Sequence, residues 1–118
     1  MNADDLYHRG RTAMDSGALD EAVERFRESV DAGPHFKTLE LLGECLLRLK
    51  RPREAIVPLA AATALNRQGR APALLARAFH ELGNHRDAAK FAEEALVRAP
   101  GSREALDVRE AARRHLEG

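Results

Sequence analysis

The residues that come nearest to a metal-binding pattern are His80 and His85, which flank a Glu-Leu-Gly-Asn string. This string is similar to the zinc-binding pattern H-E-x-x-H, in which two histidines four residues apart share one face of a helix. Here the second histidine comes five residues after the first, beyond a Gly-Asn pair that should end a helix. We therefore expect the two imidazoles to lie apart at exposed helix ends, and we predict neither a metal site nor a cofactor.

Other catalytic arrangements are missing as well. The sequence contains no Gly-rich phosphate-binding string and no G-x-S-x-G nucleophile motif. Its serines, Ser16, Ser29 and Ser102, fall at expected helix ends or at small packing positions. Cys45 is the only cysteine and lies inside an apolar run, where a core thiol is expected. We predict that the protein is not an enzyme.

Composition restricts the partners. The 19 basic and 19 acidic residues cancel, so there is no net attraction to nucleic acid or to anionic lipid. Aromatic residues are only 4% of the chain, and the arginines near the C-terminus alternate with acids, which is typical of a solvated helix face. No segment approaches the roughly 18 apolar residues of a membrane span. We expect a cytoplasmic protein that binds neither nucleic acid nor membrane.

Apolar residues recur at helical spacing in seven segments, and no strand pattern is present. The patterns predict helices over Ala3–Asp15, Leu19–Ala32, Phe36–Leu49, Pro52–Leu65, Arg70 or Ala71 to Leu82, His85–Arg98 and from the N-cap Ser102 to Leu116. The third of these helices is the most apolar and should be the most buried. Pro58 falls inside the fourth helix, which it should bend without ending.

Small residues repeat at a fixed period. Gly10, Gly43 and Ala76 fall at steps of 33, and Ala22, Ala55 and Ala88 do the same. Residues of this size at fixed helical offsets allow two backbones to approach closely. A fixed period of this length predicts a stack of helical hairpins, in which each unit buries its apolar face against the next.

The spacing within each unit resembles the tetratricopeptide repeat, whose pattern is W-x2-L-G-x2-Y, then A-x3-F, then P. The units read Leu6-x2-Arg9-Gly10-x2-Ala13, Ala22-x3-Phe26, Pro34; Leu39-x2-Leu42-Gly43-x2-Leu46, Ala55-x3-Leu59, Arg67; and Pro72-x2-Leu75-Ala76-x2-Phe79, Ala88-x3-Ala92, Pro100. The resemblance covers about residues 3–100. Two departures leave the superhelical pitch open: the period is 33 instead of 34, and Arg67 replaces a proline.

The resemblance implies an all-α fold, a right-handed superhelix of seven antiparallel helices that forms a single domain over residues 1–118. Its repeats would span about residues 3–35, 36–68 and 69–101. Residues 102–117 would form a capping helix that covers the last repeat and keeps it soluble.

The family builds its usual binding surface, a concave groove, from the first helix of each unit. By resemblance, the groove residues of this chain are Tyr7, His8, Arg11, Met14, Lys37, Glu40, Leu41, Glu44, Leu47, Arg70, Ala73, Leu74, Arg77 and His80. Leu41 and Leu74 are interpreted as apolar anchors for a partner, with Arg11, Arg70 and Arg77 pairing its acidic or backbone groups. The alternative is that Leu41, Leu47 and Leu74 only pack between neighbouring helices.

Some family members hold a peptide's C-terminal carboxylate with Lys and Asn residues, but this chain has Tyr7, Arg11, Leu41 and Leu74 at four of those positions. We therefore expect a non-catalytic interaction module or adaptor that binds an apolar or mixed peptide, or a helical segment, of another protein. The alternative is a self-associating scaffold in which the ends or edges of the solenoid stack. A monomer or a weak homo-oligomer is expected.

Overall fold

The computed structural model describes all residues from 1 to 118 and contains helices but no strands. The helices are α1 (Ala3–Asp15), α2 (Leu19–Ala32), α3 (Phe36–Arg48), α4 (Pro52–Leu65), α5 (Arg70–Glu81), α6 (His85–Arg98) and α7 (Arg103–Glu117). The seven predicted helices are confirmed, with ends that differ by one residue at most. None of them is long and apolar enough to span a membrane.

The first helix of every hairpin ends in the same way. Gly17, Lys50 and Gly83 have positive φ angles of 83°, 62° and 81°, and they stand 33 residues apart. The left-handed conformation satisfies carbonyls at the end of the helix and turns the chain back on itself. Glycine adopts it without steric cost, whereas Lys50 holds it with a Cβ atom in place.

Consecutive helices pack as neighbours, which gives three hairpins followed by α7. In addition, α3 packs beside α5 and α5 beside α7, whereas no comparable packing joins α2 to α4 or α4 to α6. Helices α3, α5 and α7 therefore come closer together than α2, α4 and α6. This difference places α3, α5 and α7 on the inner, concave side of the stack, and α1 is the corresponding helix of the first repeat.

The small residues at the repeated positions act as the sequence predicts, because they allow close contact between the two helices of a hairpin. A Cβ atom added to Gly10 would meet the ring of Phe26, and one added to Gly43 would meet the side chain of Leu59, both closer than 3.0 Å. Phe26 and Leu59 are fully buried in the main core cluster. Each glycine thus lets a large side chain of the second helix lie against the backbone of the first.

The core is shared between repeats. The main cluster of 14 residues draws on α1 to α5, and α3 is buried at every position from Thr38 to Leu47, as its composition predicts. A second cluster joins Ala76, Ala88 and Ala92 of the third repeat to Val108 and Ala112 of α7. α7 therefore covers the last apolar face, which confirms a capping helix after three repeats.

Helix α4 continues through Pro58 to Leu65, so the prediction that Pro58 does not end the helix is confirmed. The connection that follows is the one in which Arg67 stands in place of the family's proline. It is held by Arg98 of α6, whose NH1 group donates to the carbonyl oxygens of Thr63 (3.0 Å), Asn66 (3.0 Å) and Gln68 (3.3 Å). A side chain of the third repeat thus satisfies backbone carbonyls at the end of the second repeat.

Replacing Gly43 by alanine is expected to lower the free energy of unfolding by about 1–3 kcal/mol, because the added methyl group would overlap Leu59 in a packed core. The better helix propensity of alanine offsets at most about 1 kcal/mol. Urea denaturation measures the difference, with Gly101→Ala as the control, since a Cβ there meets nothing within 4 Å. The double variant with Gly43→Ala and Leu59→Ala should lose less free energy of unfolding than the two single variants lose together. A single Gly43→Ala variant as stable as the natural chain would refute the close approach.

Candidate binding groove

The predicted groove residues all lie on α1, α3 and α5, the odd-numbered helices of the three repeats. The structure divides them by accessibility. Tyr7, His8, Arg11, Met14, Lys37, Arg70, Arg77 and His80 are exposed or half-buried, whereas Glu40, Leu41, Glu44, Leu47, Ala73 and Leu74 are buried. The accessible members carry most of the polar and charged groups, so the exposed part of this set is more polar than the sequence indicates.

The three leucines belong to the core. Leu41, Leu47 and Leu74 are 6%, 0% and 4% exposed, and all three are members of the main core cluster. The alternative that Leu41 and Leu74 pack between neighbouring helices therefore describes their position, and their role as apolar anchors for a partner stays a prediction. Their leucine side chains are explained by the burial of α3 and α5 against helices on several sides.

A network of charged side chains joins α3 to α5. Glu40 is fully buried, and its Oε2 lies 3.0 Å from Lys37 Nζ and 3.5 Å from Arg70 Nε. Glu44 pairs with Arg48 at 2.7 Å and with the other end of the Arg70 guanidinium. The second carboxylate oxygen of Glu40, Oε1, is buried and has no hydrogen-bond partner. Three basic side chains, Lys37, Arg48 and Arg70, thus surround two carboxylates at the α3–α5 contact.

The remaining arginines of the groove differ in how far they are paired. Arg77 lies 3.3 Å from Glu104 of α7 and 3.6 Å from Glu81, so it ties α5 to the capping helix. Arg11 makes no ion pair; its NH1 group donates to the Tyr7 hydroxyl oxygen at 3.1 Å. That hydrogen bond is the main cause of the raised pKa of Arg11. Among Arg11, Arg70 and Arg77, Arg11 is therefore the one without a carboxylate partner.

Two clefts flank the α3–α5 charge network. The larger, of about 490 Å³, lies between the first two repeats and is lined by groove residues Tyr7 and Lys37 together with Ala3, Asp4, Ser29, Gly33, Pro34, His35 and Thr38. The smaller, of about 240 Å³, is lined by Gly69, Arg70, Ala73, Leu74, Ala99, Ser102 and Glu104. The structure thus brings members of the predicted set together around two depressions, and it adds Ser29, His35 and Glu104, which the repeat pattern did not indicate.

A family model described as the tetratricopeptide repeat matches residues 7–73, more than half of the chain. The chain belongs to the tetratricopeptide repeat family. No curated protein sequence matches it. Its helices α1 to α6 form the three repeats of this TPR domain, and α7 is the capping helix.

Solved TPR domains have the same fold. The first TPR domain of Spaghetti (RPAP3), bound to the HSP90 peptide SRMEEVD, is 24% identical with a TM-score of 0.92, over 99% of this chain and 94% of that one. The TPR domain of Arabidopsis OM64 is 18% identical with a TM-score of 0.89, over 96% and 95% of the two chains. MamA is 24% identical with a TM-score of 0.92, over 98% of this chain and 69% of its own. At these identities the likeness shows the fold alone.

A cluster of three histidines lies at the C-terminal end of the TPR stack. His80 lies in the last turn of α5, His85 begins α6, and their Nδ1 atoms are 3.2 Å apart. The ring of His115, from the last turn of α7, stacks on His85 with 3.9 Å between centroids and 4° between planes. The expectation that His80 and His85 lie apart is therefore wrong, because the tight turn at Gly83 folds α6 back onto the end of α5. His115 is brought in by the tertiary fold alone.

The three histidines of this cluster have no acidic ion-pair partner. No Asp or Glu forms an ion pair with any of the three rings, and the only such pair in the chain is Asp4 with His8. The pKa of His85 is lowered, first by desolvation and then by the neighbouring charges of His115 and His80. No group of three or more His, Cys, Asp or Glu side chains is placed to hold a metal ion in this arrangement, in which the His115 ring lies flat on His85.

Two other groups have shifted pKa values. Burial raises the pKa of the Cys45 thiol to about 11, with a smaller contribution from Glu44. Cys45 is fully buried and unpaired, which confirms it as a core thiol. On the outer side, hydrogen bonding to Arg51 lowers the pKa of Glu54 to about 2, and Arg27 of α2 contributes to the shift. Neither group lies in an environment that would make it a nucleophile or a base near neutral pH.

Proposed function

We propose that this TPR domain is a non-catalytic interaction module that binds a segment of another protein along the inner side of α1, α3 and α5. The support is that groove residues line two clefts, Tyr7 and Lys37 the larger and Arg70, Ala73 and Leu74 the smaller, on either side of a charge network whose members come from two repeats. Solved TPR domains of the same fold hold short peptides: the first of Spaghetti holds SRMEEVD, and the second of human RPAP3 holds the HSP70 peptide SGPTIEEVD.

The observation that carries the proposal is the state of Arg11 beside the larger cleft. Arg70 and Arg77 already have carboxylate partners, so an acidic ligand would have to displace Glu40, Glu44 or Glu104 to reach them. An acidic ligand can reach Arg11 without displacing a carboxylate. The Arg11 guanidinium is oriented by the hydroxyl of Tyr7, which lines the larger cleft. An oriented guanidinium binds a carboxylate with two parallel hydrogen bonds. We therefore expect a segment with one acidic group near α1 and apolar or mixed groups beyond it.

Reversing the charge of Arg11 tests this function. Arg11→Glu is expected to weaken partner binding by at least about 1–3 kcal/mol, roughly tenfold or more, because it removes a pairing group and repels the ligand's carboxylate. The measurement is affinity capture from the source cell with quantitative mass spectrometry, followed by titration of the captured partner. The matched control is Arg53→Glu, the same charge change at an exposed position of α4 outside the groove. Equal capture by both variants, with helicity unchanged, would mean that the partner uses another surface.

Self-association is the second candidate function, and the outer side of α4 favours it. No charged residue occurs from Ala55 to Leu65, and Val57 and Leu65 are 75% and 59% exposed. Val97 of α6 is exposed to 79% on the same series of even-numbered helices. Light scattering across concentrations separates the two candidate functions. The apparent molecular mass of a self-associating scaffold would rise with protein concentration, and this rise would disappear in the Val57→Asp variant.

A further inference from the structure

Helix ends from the third repeat and the cap place three imidazoles together. His80 and His85 belong to the two helices of one hairpin, and His115 belongs to α7. The ring centroids are 5.1 Å apart for His80 and His85, 5.9 Å for His80 and His115, and 3.9 Å for His85 and His115. None of these rings has an acidic ion-pair partner, and the interaction module described above does not explain their assembly.

The positions of the His80 and His85 rings match those of two ligands on one tetrahedral ion. With metal–nitrogen bonds of about 2.0 Å, the two bonded nitrogens of such a pair lie about 3.3 Å apart and the ring centres about 5.2 Å apart. The observed separations are 3.2 Å between the Nδ1 atoms and 5.1 Å between the centroids. Both rings therefore direct Nδ1 towards the space between them, where one proton or one metal ion can be shared.

We propose that His80 and His85 bind a divalent transition-metal ion such as Zn²⁺ through their Nδ1 atoms, with His115 as the third ligand. His115 reaches the ion by turning its ring out of the stack with His85, which a change of side-chain rotamer allows because the residue is exposed in the last turn of α7. Water completes the coordination, as it does in sites with three protein ligands.

The chemistry of the cluster selects the class of ion. Neutral imidazole is a ligand for Zn²⁺, Cu²⁺ and Ni²⁺, whereas Mg²⁺ and Ca²⁺ require oxygen ligands. A bound ion would join the ends of α5, α6 and α7, so it would fix the capping helix to the third repeat.

Titration with ZnCl2 at pH 7.5 tests the site, by calorimetry for binding and by melting for stability. The expected result is one Zn²⁺ per chain and a raised melting temperature, with no response to MgCl2. His80→Ala and His85→Ala should each weaken Zn²⁺ binding by at least about tenfold, the lower end of the losses seen when supporting residues of metal sites are removed. His115→Ala should weaken it severalfold and keep one ion per chain. His8→Ala is the matched control for metal binding, an exposed histidine on α1 whose loss should leave the affinity for Zn²⁺ unchanged.

Specific results would overturn the proposal. One such result is that Zn²⁺ shows no saturable binding, and another is that the binding depends no more on His80 and His85 than on His8. The 3.2 Å contact would then be a hydrogen bond between neutral rings. Unchanged affinity in His115→Ala would overturn the assignment of the third ligand. Nitrogen chemical shifts of the histidine rings give an independent check, since Zn²⁺ must move the Nδ1 signals of His80 and His85, and movement of Nε2 instead would contradict the geometry. Circular dichroism of each variant shows that it is folded.

Discussion

Replacing Leu74 by aspartate is expected to unfold the protein. Leu74 is 4% exposed and packs in the main core cluster with Leu41, Leu75 and Ala78. An aspartate there would place an unpaired carboxylate in apolar surroundings, a change that costs more than about 4 kcal/mol. Since a small domain has a total stability of about 5–15 kcal/mol, most or all of the folded population should be lost. Far-ultraviolet circular dichroism and thermal melting measure this loss, and Leu41→Asp should behave in the same way.

The matched control is Leu65→Asp at the end of α4. Leu65 is 59% exposed, so the same substitution there should change stability by no more than about 0.5 kcal/mol. A Leu74→Asp variant that kept its helicity and melting temperature while losing its partner would contradict the burial of this side chain. It would also support the interpretation of Leu74 as a groove anchor.

Removing α7 by truncation after Gly101 should have the second large effect. The truncated chain would expose Ala76, Ala88 and Ala92, which Val108 and Ala112 cover, and it would lose the Arg77–Glu104 pair. Apolar area exposed at about 25 cal/mol per Å² amounts to several kcal/mol for a helix face of this size. We expect a much lower melting temperature and self-association through the uncovered face, measured by calorimetry and sedimentation.

Two point variants of the full chain separate the loss of the cover from the loss of the helix itself. Ala112→Glu places a charge at a fully buried position of α7 and should reproduce most of the destabilisation, whereas Arg114→Glu on its exposed side should not. The capping role of α7 is refuted if the truncated chain remains monomeric and melts within about two degrees of the full chain, since a shift that small corresponds to well under 1 kcal/mol.

The helices and the repeat were predictable from the sequence because their causes are local. Helix ends follow from caps and turns, such as Asn84, which accepts from the Asp87 N–H group, and Gly83 with its positive φ. The small positions Gly10 and Gly43 mark where Phe26 and Leu59 pack, and these contacts lie within one hairpin. A fixed spacing along the chain is therefore enough to place them.

The details of the groove depend on contacts between repeats, which no spacing within a repeat reports. Leu41 and Leu74 lie on helix faces that a single hairpin would leave open, and neighbouring helices bury them. Arg70 was expected to await an acidic partner, but Glu40 and Glu44 from the preceding repeat already pair with it. The meeting of His80 and His85 with His115 likewise requires α7 to fold back beside the third hairpin.

The three hydrogen bonds that Arg98 donates across the α4–α5 connection bear on the cooperativity of unfolding. Stacked repeats unfold one after another when each is stable by itself, and together when the interactions between neighbours dominate. Here the second repeat relies on a guanidinium of the third to satisfy the carbonyls of Thr63, Asn66 and Gln68. Opening of α6 would release that connection at the same time, so amide protons at the end of α4 and those of α6 should exchange in one cooperative unit. The arginine thereby couples two repeats that lack the proline of the family pattern between them.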